Sequence, residues 1–288
     1  MINYDNLMAR DFADVERRYT EQDCILYALG LGLGAPENPR HLSAVFEGAA
    51  DFAALPSFVN VLGVPPFWAR DPSTGITWQQ IVHGEHAFTL HAGVPSRAGI
   101  VGRTRLTGIV DKGAGKGALI YTEREISSAQ GQRLATVSST LFARADGGFG
   151  GPRGPLNAPL NTMQPVPDRA PDVFHDFATS PRAALIYRLS GDMNPLHADP
   201  ALAARAGFDR PILHGLCTMG IAAWCIPMAL RAGDFTALTH QEVRFSAPVY
   251  PGETLRTEIW TEGDDVRFRA RVLERDVIVL SHGRARLT

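Results

Sequence analysis

The chain has 288 residues, of which 45% are hydrophobic and 20% charged, a composition typical of a globular protein with one large domain or two smaller ones. A net charge of −2 argues against nucleic acid or a membrane surface as a partner bound through bulk charge. No apolar run is long enough to span a bilayer, and the first residues lack the pattern of a signal peptide. The cysteines Cys24, Cys217 and Cys225 are too scattered for a disulfide framework or a zinc site, which fits a reducing cytoplasm.

The first predicted helix lies close to the N-terminus. Thr20 is a hydroxyl residue suited to an N-cap, and Asp23 follows three positions later, as in a capping box. The short apolar helix predicted after this cap runs from Cys24 to Leu29 and ends at Gly30.

The rest of the first half is predicted to hold one more helix and a run of strands. The helix is expected near residues 50–62. The strands are expected near 81–92, 99–111, 117–127 and 133–144.

A proline-rich connector separates this half from the next. Residues 151–172 contain six prolines, and proline neither continues a helix nor donates a hydrogen bond in a central strand. We therefore expect an extended linker at 151–172 between an N-terminal domain, residues 1–150, and a C-terminal domain, residues 173–288.

The second half repeats the order of predicted structural elements found in the first half. Ser180 and Pro181 suit the N-cap and the first position of a helix. That helix is expected from Ala183 to Ser190, and Gly191 ends it.

A longer apolar helix, predicted from Gly215 to Leu230, precedes the second run of strands. The strand candidates lie at 240–250, 253–261, 265–274 and 276–287. In the third candidate, apolar residues alternate with arginines, so one face is expected to be buried. A helix followed by an antiparallel meander, found twice, predicts an α+β fold in which each sheet wraps around a helix.

The densest polar cluster of the chain follows the expected helix stop at Gly191. Asp192, Asn194 and His197 lie on a short segment in which Pro195 prevents the helix from restarting. An acid, an amide and an imidazole on one irregular segment can bind a water molecule and move its protons.

Two other interpretations of this cluster stand beside the first. Asp192 and Asn194 are residue types that form local turns, and His197 could be an ordinary surface residue. The cluster could instead bind a metal ion, although the spacing matches no known zinc or facial-triad pattern. The candidate metal ligands are Asp192, His197, Asp199 and His214.

The segment from Tyr187 to Pro200, YRLSGDMNPLHADP, resembles the signature of the R-specific 2-enoyl-CoA hydratases, the hydratase 2 or MaoC-like dehydratase family. Other segments in both halves resemble the same family: Arg18–Thr20, Leu26–Gly30, His83–Glu85, Asp111–Gly117 and Pro211–Cys217. The resemblance covers roughly residues 15–288 and is to the two-domain form. It implies a double hotdog, with two antiparallel sheets each wrapped around a long helix, and a first hotdog without catalytic residues.

The same resemblance implies roles for individual residues. Asp192 and His197 resemble the catalytic pair, and Asn194 resembles the residue that helps hold the water. Gly215 resembles the glycine whose backbone N–H binds the thioester oxygen. Residues expected to bind substrate or CoA are His83, Gly84, Lys112, Met193, Pro195, Leu196 and Phe245.

The implied reaction is the reversible hydration of trans-2-enoyl-CoA to (3R)-3-hydroxyacyl-CoA, without a cofactor or a metal, in a homodimer. The sequence leaves open which of Asp192 and His197 takes the proton of the water. We expect Asp192 to act on the water and His197 to serve carbon C2 through the same water molecule.

The lysines of the chain, Lys112 and Lys116, both lie in one glycine-rich loop. The loop is not a Walker phosphate loop, because Val110 occupies the place of the first glycine and Gly117 follows the lysine. It is either a flexible hairpin tip with solvated lysines or a set of cations and N–H groups near the phosphates of CoA, which the resemblance of Lys112 favours.

Two rival functions remain. A hotdog thioesterase would attack the thioester carbonyl instead of C3 and release free CoA. A catalytically silent acyl-CoA-binding protein would turn over no substrate. The intact set of candidate catalytic residues argues against it: Asp192, Asn194, His197 and Gly215.

Overall fold

The computed structural model describes residues 1–35, 38–154, 163–263 and 265–288, so residues 155–162 of the predicted linker lie outside the described part. The α-helices are α1 Tyr4–Met8, α2 Glu21–Leu31, α3 Leu42–Val45, α4 Ala183–Tyr187, α5 Pro200–Arg205 and α6 Gly215–Leu230. Single turns of 3-10 helix lie at Pro39–His41, Pro56–Val61, Trp68–Arg70, Pro72–Thr74, Trp78–Gln80, Arg188–Ser190, Pro195–His197 and Phe235–Ala237. The strands are β1 Val15–Tyr19, β2 Ile81–Leu90, β3 Ala98–Asp111, β4 Ala118–Ser128, β5 Arg133–Ala143, β6 Val173–Ala178, β7 Leu238–Phe245, β8 Thr254–Glu262, β9 Asp265–Val272 and β10 Val277–Leu287.

These strands form one antiparallel sheet of ten strands, in the order β1-β3-β4-β5-β2-β7-β10-β9-β8-β6. Counted from either outer edge, the strands of the two halves follow the same order, so the fold is an internal repeat about the central β2–β7 pair. In that pair Glu85 lies opposite Arg244, and their side chains form an ion pair at 2.7 Å. The expected double hotdog is confirmed as a fold, with its two half-sheets joined edge to edge into one sheet, although among the described residues only the C-terminal half contains the expected long helix.

The C-terminal half is built around α6, as the continuous apolar run predicts. Every residue from Cys217 to Met228 is buried. On β9 the apolar residues at 266, 268, 270 and 272 are all buried, while the arginines between them remain partly exposed. The predicted period-two burial of this strand is therefore confirmed.

The first long helix of the chain is capped as predicted, but it begins at Glu21, before the predicted start at Cys24, and it ends later than predicted. The backbone N–H of Thr20 donates to the carboxylate of Asp23 at 2.9 Å, which completes the capping box. The prediction that Gly30 ends the helix is wrong, because α2 continues to Leu31 and Gly32 is the cap, with φ at 102°. Gly30 instead allows close packing, since a Cβ there would lie 2.9 Å from the Cα of Tyr187.

The prediction of a helix near residues 50–62 is wrong. Only Pro56–Val61 is helical, as a 3-10 segment, so the N-terminal half has no counterpart of α6 among its described residues. Proline starts this segment, and Gly63 follows it with φ at 61°, a conformation that an α-helix cannot continue. A Cβ at Gly63 would lie 2.7 Å from the Cα of Gly102 on β3, so the chain turns there in close contact with the sheet.

The remaining differences concern short elements and one strand, since the strand expected at 240–250 is β7 and ends at Phe245. The helix expected from Ala183 to Ser190 is α-helical only to Tyr187 and continues as a 3-10 turn. The outer edge strands β1 and β6 were not predicted. Among the described residues, no helix combines the length and apolarity needed to cross a membrane.

Candidate active site

The segment that follows α4 consists of two 3-10 turns, Arg188–Ser190 and Pro195–His197, with Gly191 between them at φ 138°. The Asp192 Oδ1 accepts a hydrogen bond from the backbone N–H of Asn194 at 3.1 Å. The Asn194 Oδ1 in turn accepts from the N–H of Leu196 at 3.1 Å. Both local turns considered from the sequence are therefore present, and they fix the backbone while leaving the second carboxylate oxygen of Asp192 without a partner in the turn.

His197 is the buried member of the segment, with 8% of its surface exposed. Its Nδ1 lies 2.8 Å from the carbonyl oxygen of Ile212, so Nδ1 carries the hydrogen and Nε2 carries the lone pair. Burial lowers the pKa of His197 below its ordinary value of 6.5, although this hydrogen bond and the carboxylate of Asp192 oppose the shift. The ring is therefore neutral at pH 7 and can accept a proton at Nε2.

His214 is a third member of the site. Its ring stacks on that of His197, with centroids 3.7 Å apart, and its Nε2 lies 3.1 Å from the carbonyl oxygen of Asp192. Burial, and then the neighbouring His197, lowers the pKa of His214 to about 4. Sequence reasoning considered His214 only as a metal ligand. Its position directly before an apolar helix is the signal that could have placed it here.

The structure brings Asp192 and His197 together, as the sequence predicts. One carboxylate oxygen of Asp192 and one ring nitrogen each of His197 and His214 lie within 4.8 Å of one another. Such a cluster can hold a water molecule between proton acceptors, and it could also ligate a divalent cation. Asp199, the fourth metal-ligand candidate, is engaged elsewhere, because its carboxylate accepts from the N–H groups of Ala201 and Leu202 at the start of α5.

Gly215 is the first residue of α6 and follows His214 directly. The first N–H groups of an α-helix have no partner within the helix, and the helix dipole adds positive potential there. A Cβ at Gly215 would lie 3.0 Å from the ring of Phe245, so only glycine leaves room for that ring. The Phe245 ring also lies 4.8 Å from the ring of His83, which belongs to β2. The predicted residues Gly215, Phe245 and His83 thus meet at the junction of the two halves.

His83 faces the active-site segment from the N-terminal half. Burial lowers its pKa to about 4, while the charge of Asp192 acts in the opposite direction. Gly84, its neighbour, lies at a bulge in the β2–β5 pairing, and a Cβ there would approach the carbonyl oxygen of Thr140 to 3.3 Å. The bulge turns β2 locally where His83 meets the other half.

The lysine loop is a rigidly held hairpin tip. Asp111 is buried, and its carboxylate accepts hydrogen bonds from the N–H groups of Gly113, Gly148 and Gly150. These bonds, that to Gly148 first, lower the pKa of Asp111. The exposed Lys112 places its ammonium group 4.9 Å from the centre of the Phe142 ring. The expectation of a merely flexible tip is therefore not favoured.

The other predicted ligand-binding residues border the cluster on its outer side. Met193 is 53% exposed, Pro195 is exposed and Leu196 is half-buried. Exposed apolar side chains beside a polar cluster are typical of the rim of a binding site.

Two family models match successive parts of the chain. Residues 18–145 match the model of the MFE-2 hydratase 2 N-terminal domain, and residues 162–282 match that of the MaoC like domain. The chain is 40% identical to enoyl-CoA hydratase ChsH3 of Mycobacterium tuberculosis, covering 91% of this chain and 90% of that protein. It is 37% identical to mouse peroxisomal multifunctional enzyme type 2, but it spans only 36% of that protein's length. The MaoC-like dehydratase of Phytophthora capsici superposes with a TM-score of 0.85 at 34% identity, over 99% of this chain and 98% of that one.

Proposed function

Because the chain belongs to the family of MaoC-like dehydratases with a hydratase 2 N-terminal domain, we propose that it is a hydro-lyase that converts trans-2-enoyl-CoA reversibly to (3R)-3-hydroxyacyl-CoA. The observation that carries the proposal is the convergence of Asp192 and His197 beside the first residue of α6. Relatives named enoyl-CoA hydratase, from Mycobacterium tuberculosis and Arabidopsis thaliana, support the reaction class.

We propose a task for each group of the site. The water that attacks C3 donates one hydrogen bond to the free carboxylate oxygen of Asp192 and one to Nε2 of His197. Since the neutral His197 enters as an acceptor, the proton that reaches C2 comes from the water. We therefore assign this transfer to Asp192. This replaces the expectation from the sequence that His197 serves C2, because the neutral ring has no proton at Nε2 to give, and His197 instead accepts a hydrogen bond from the hydrogen that stays on oxygen as the product hydroxyl.

The thioester oxygen gains negative charge as the water adds. The backbone N–H of Gly215 is the donor for that oxygen, and the N-terminal end of α6 supplies positive potential at the same place. Phe245, packed over Gly215, excludes water from one side of this oxygen.

The test is to mix the protein with a series of trans-2-enoyl-CoA thioesters of different chain lengths and follow the loss of the enoyl-thioester absorbance. The proposal predicts loss of the band, a product of R configuration and no free CoA. An S product would contradict the family mechanism. Release of free CoA would indicate a thioesterase, and binding without turnover would indicate a silent acyl-CoA-binding protein.

We also propose different roles for the two halves of the chain. Residues 1–150 bind CoA and part of the acyl group, residues 173–288 carry the reacting groups, and 151–172 connect them. A homodimer, a cytoplasmic location and independence of cofactors and metals complete the proposal. The buried free thiols of Cys24, Cys217 and Cys225 support a reducing compartment.

The substitution Lys112→Ala tests the CoA-binding role of the N-terminal half. Because Lys112 is proposed to contact the CoA moiety and not the reacting carbons, its loss should raise KM for crotonyl-CoA about tenfold and change kcat little. The matched control is Arg105→Ala, which removes an exposed cation that is paired with Glu123. An unchanged KM in Lys112→Ala, or an equal rise in the control, would contradict the assignment.

A further inference from the structure

The inward faces of the two half-sheets differ in the polarity of their buried residues, although the two halves share one topology. Strands β4 and β9 occupy equivalent places, each third from its outer edge. The buried residues of β9 from 266 to 272 are apolar and belong to the core that contains α6. On β4 the corresponding interior contains Arg124, whose side chain is only 9% exposed.

Arg124 is a buried cation without an acidic partner among the described residues. Its Nη2 donates to the carbonyl oxygens of Asn60, at 2.9 Å, and Val59, at 3.4 Å, in the 3-10 segment Pro56–Val61. Its Nε has no hydrogen-bond partner in the described part of the chain. Burial lowers the pKa of Arg124 to about 10, so the group is still charged at pH 7.

A second unpartnered polar atom lies beside it. Thr104 on β3 is directly opposite Arg124 on β4, and its Oγ1 is buried without a partner in the described residues. Buried donors and cations are costly unless something satisfies them. Two such groups on neighbouring positions of one face indicate a ligand that supplies an acceptor to both.

A chain of buried polar contacts leads from this pair to the active site. Asn60 Oδ1 lies 3.1 Å from Nε2 of His86, and Nδ1 of His86 lies 3.1 Å from Nε2 of His83. His83 contacts Phe245, which covers Gly215. The interior of the N-terminal half thus contains a chain of polar groups among its apolar core residues. This chain begins beside the segment that carries Asp192 and His197.

We propose that Arg124 and Thr104 form a subsite for a carboxylate at the far end of the acyl group, so that the preferred substrates are enoyl-CoA thioesters bearing a second, remote carboxylate. One carboxylate oxygen accepts from Nε of Arg124 and the other from Oγ1 of Thr104. The inference rests on the proposed function, because it takes the thioester end to lie at Gly215. A carboxylate also supplies the negative charge that the buried guanidinium lacks.

The experiment compares trans-2-enoyl-CoA thioesters that end in a methyl group with those of equal length that end in a carboxylate. In the wild-type protein, kcat/KM should favour the carboxylate series by about tenfold or more at the best-fitting length, as expected for a hydrogen bond to a charged group. Arg124→Met should abolish that preference and leave the methyl series little changed. Thr104→Val, which keeps the shape of the side chain, should weaken the preference.

The matched control is Arg105→Met on β3, where the side chain is exposed and paired with Glu123. It should keep the wild-type preference. If Arg124 only held the Pro56–Val61 segment, Arg124→Met would lower the Tm and slow both series equally, and that result would overturn the proposal. So would equal kcat/KM values for the two series in the wild type.

A binding measurement separates this inference from the proposed function. Calorimetry with the saturated methyl-ended and carboxylate-ended acyl-CoA thioesters needs no turnover. Tighter binding of the carboxylate-ended ligand that is lost in Arg124→Met supports the subsite even if no hydration is found. Equal binding of the two ligands overturns the subsite even if hydration is found.

Discussion

Asp192→Asn is expected to lower kcat for crotonyl-CoA hydration by about a thousandfold, the size of a lost general base. The amide cannot take a proton from the water. Its Oδ1 can still accept from the N–H of Asn194, and Asp192 is exposed, so the fold should persist. Absorbance assays at saturating substrate, with circular dichroism to verify folding, measure the effect.

The chain offers a matched control for this substitution. Asp199 is a nearby exposed carboxylate that caps α5, and asparagine is an equally good N-cap. Asp199→Asn should therefore leave kcat close to the wild-type value. Wild-type turnover in Asp192→Asn, or an equal loss in Asp199→Asn, would show that the carboxylate of Asp192 does not act on the water.

His197→Asn is expected to lower kcat by about tenfold to a hundredfold, the size of a lost hydrogen bond to the attacking water. Asparagine can keep the hydrogen bond that Nδ1 donates to Ile212, but it removes the acceptor at Nε2. In the wild type, kcat/KM should fall with decreasing pH only below 6.5, since burial lowers the pKa of His197 and protonation removes the acceptor. The measurement is kcat of the variant, together with the pH profile of the wild type.

A histidine outside the site provides the comparison. His91 is exposed and hydrogen-bonded to Thr136, so His91→Asn should leave both kcat and the pH profile unchanged. Activity that rises as the pH falls through 6.5 would indicate that His197 acts as a protonated acid, and it would contradict the assigned role.

Much of the fold could be predicted from apolar periodicity. Helix α6 is apolar around its whole circumference because it packs against the sheet and also against α2 and the 3-10 segments Pro56–Val61 and Phe235–Ala237. Strand β9 alternates between apolar and polar residues because one of its faces is exposed to solvent. The edge strand β1 was missed because it pairs only with β3, and its sequence, VERRY, is mostly polar. The segment near 50–62 is apolar because it is buried, and burial alone does not distinguish an α-helix from a 3-10 turn between Pro56 and Gly63.

The candidate site, like the fold, could be predicted only in part from the sequence. Asp192 and His197 could be found because a helix stop and a proline place them on one short segment. His214 could not be assigned from spacing, since it reaches Asp192 by tertiary packing across 22 positions. The burial of Arg124 was unforeseeable, because an arginine between two glutamates on a strand is typical of a solvent-exposed face.

A crystal structure of the Asp192→Asn protein with a bound (3R)-3-hydroxyacyl-CoA tests the central claim most directly. The product hydroxyl marks where the attacking water stood. We predict that this oxygen lies about 2.6–3.2 Å from both the side chain at position 192 and Nε2 of His197, with the thioester oxygen at the N–H of Gly215. A hydroxyl outside hydrogen-bond reach of either side chain would contradict the account.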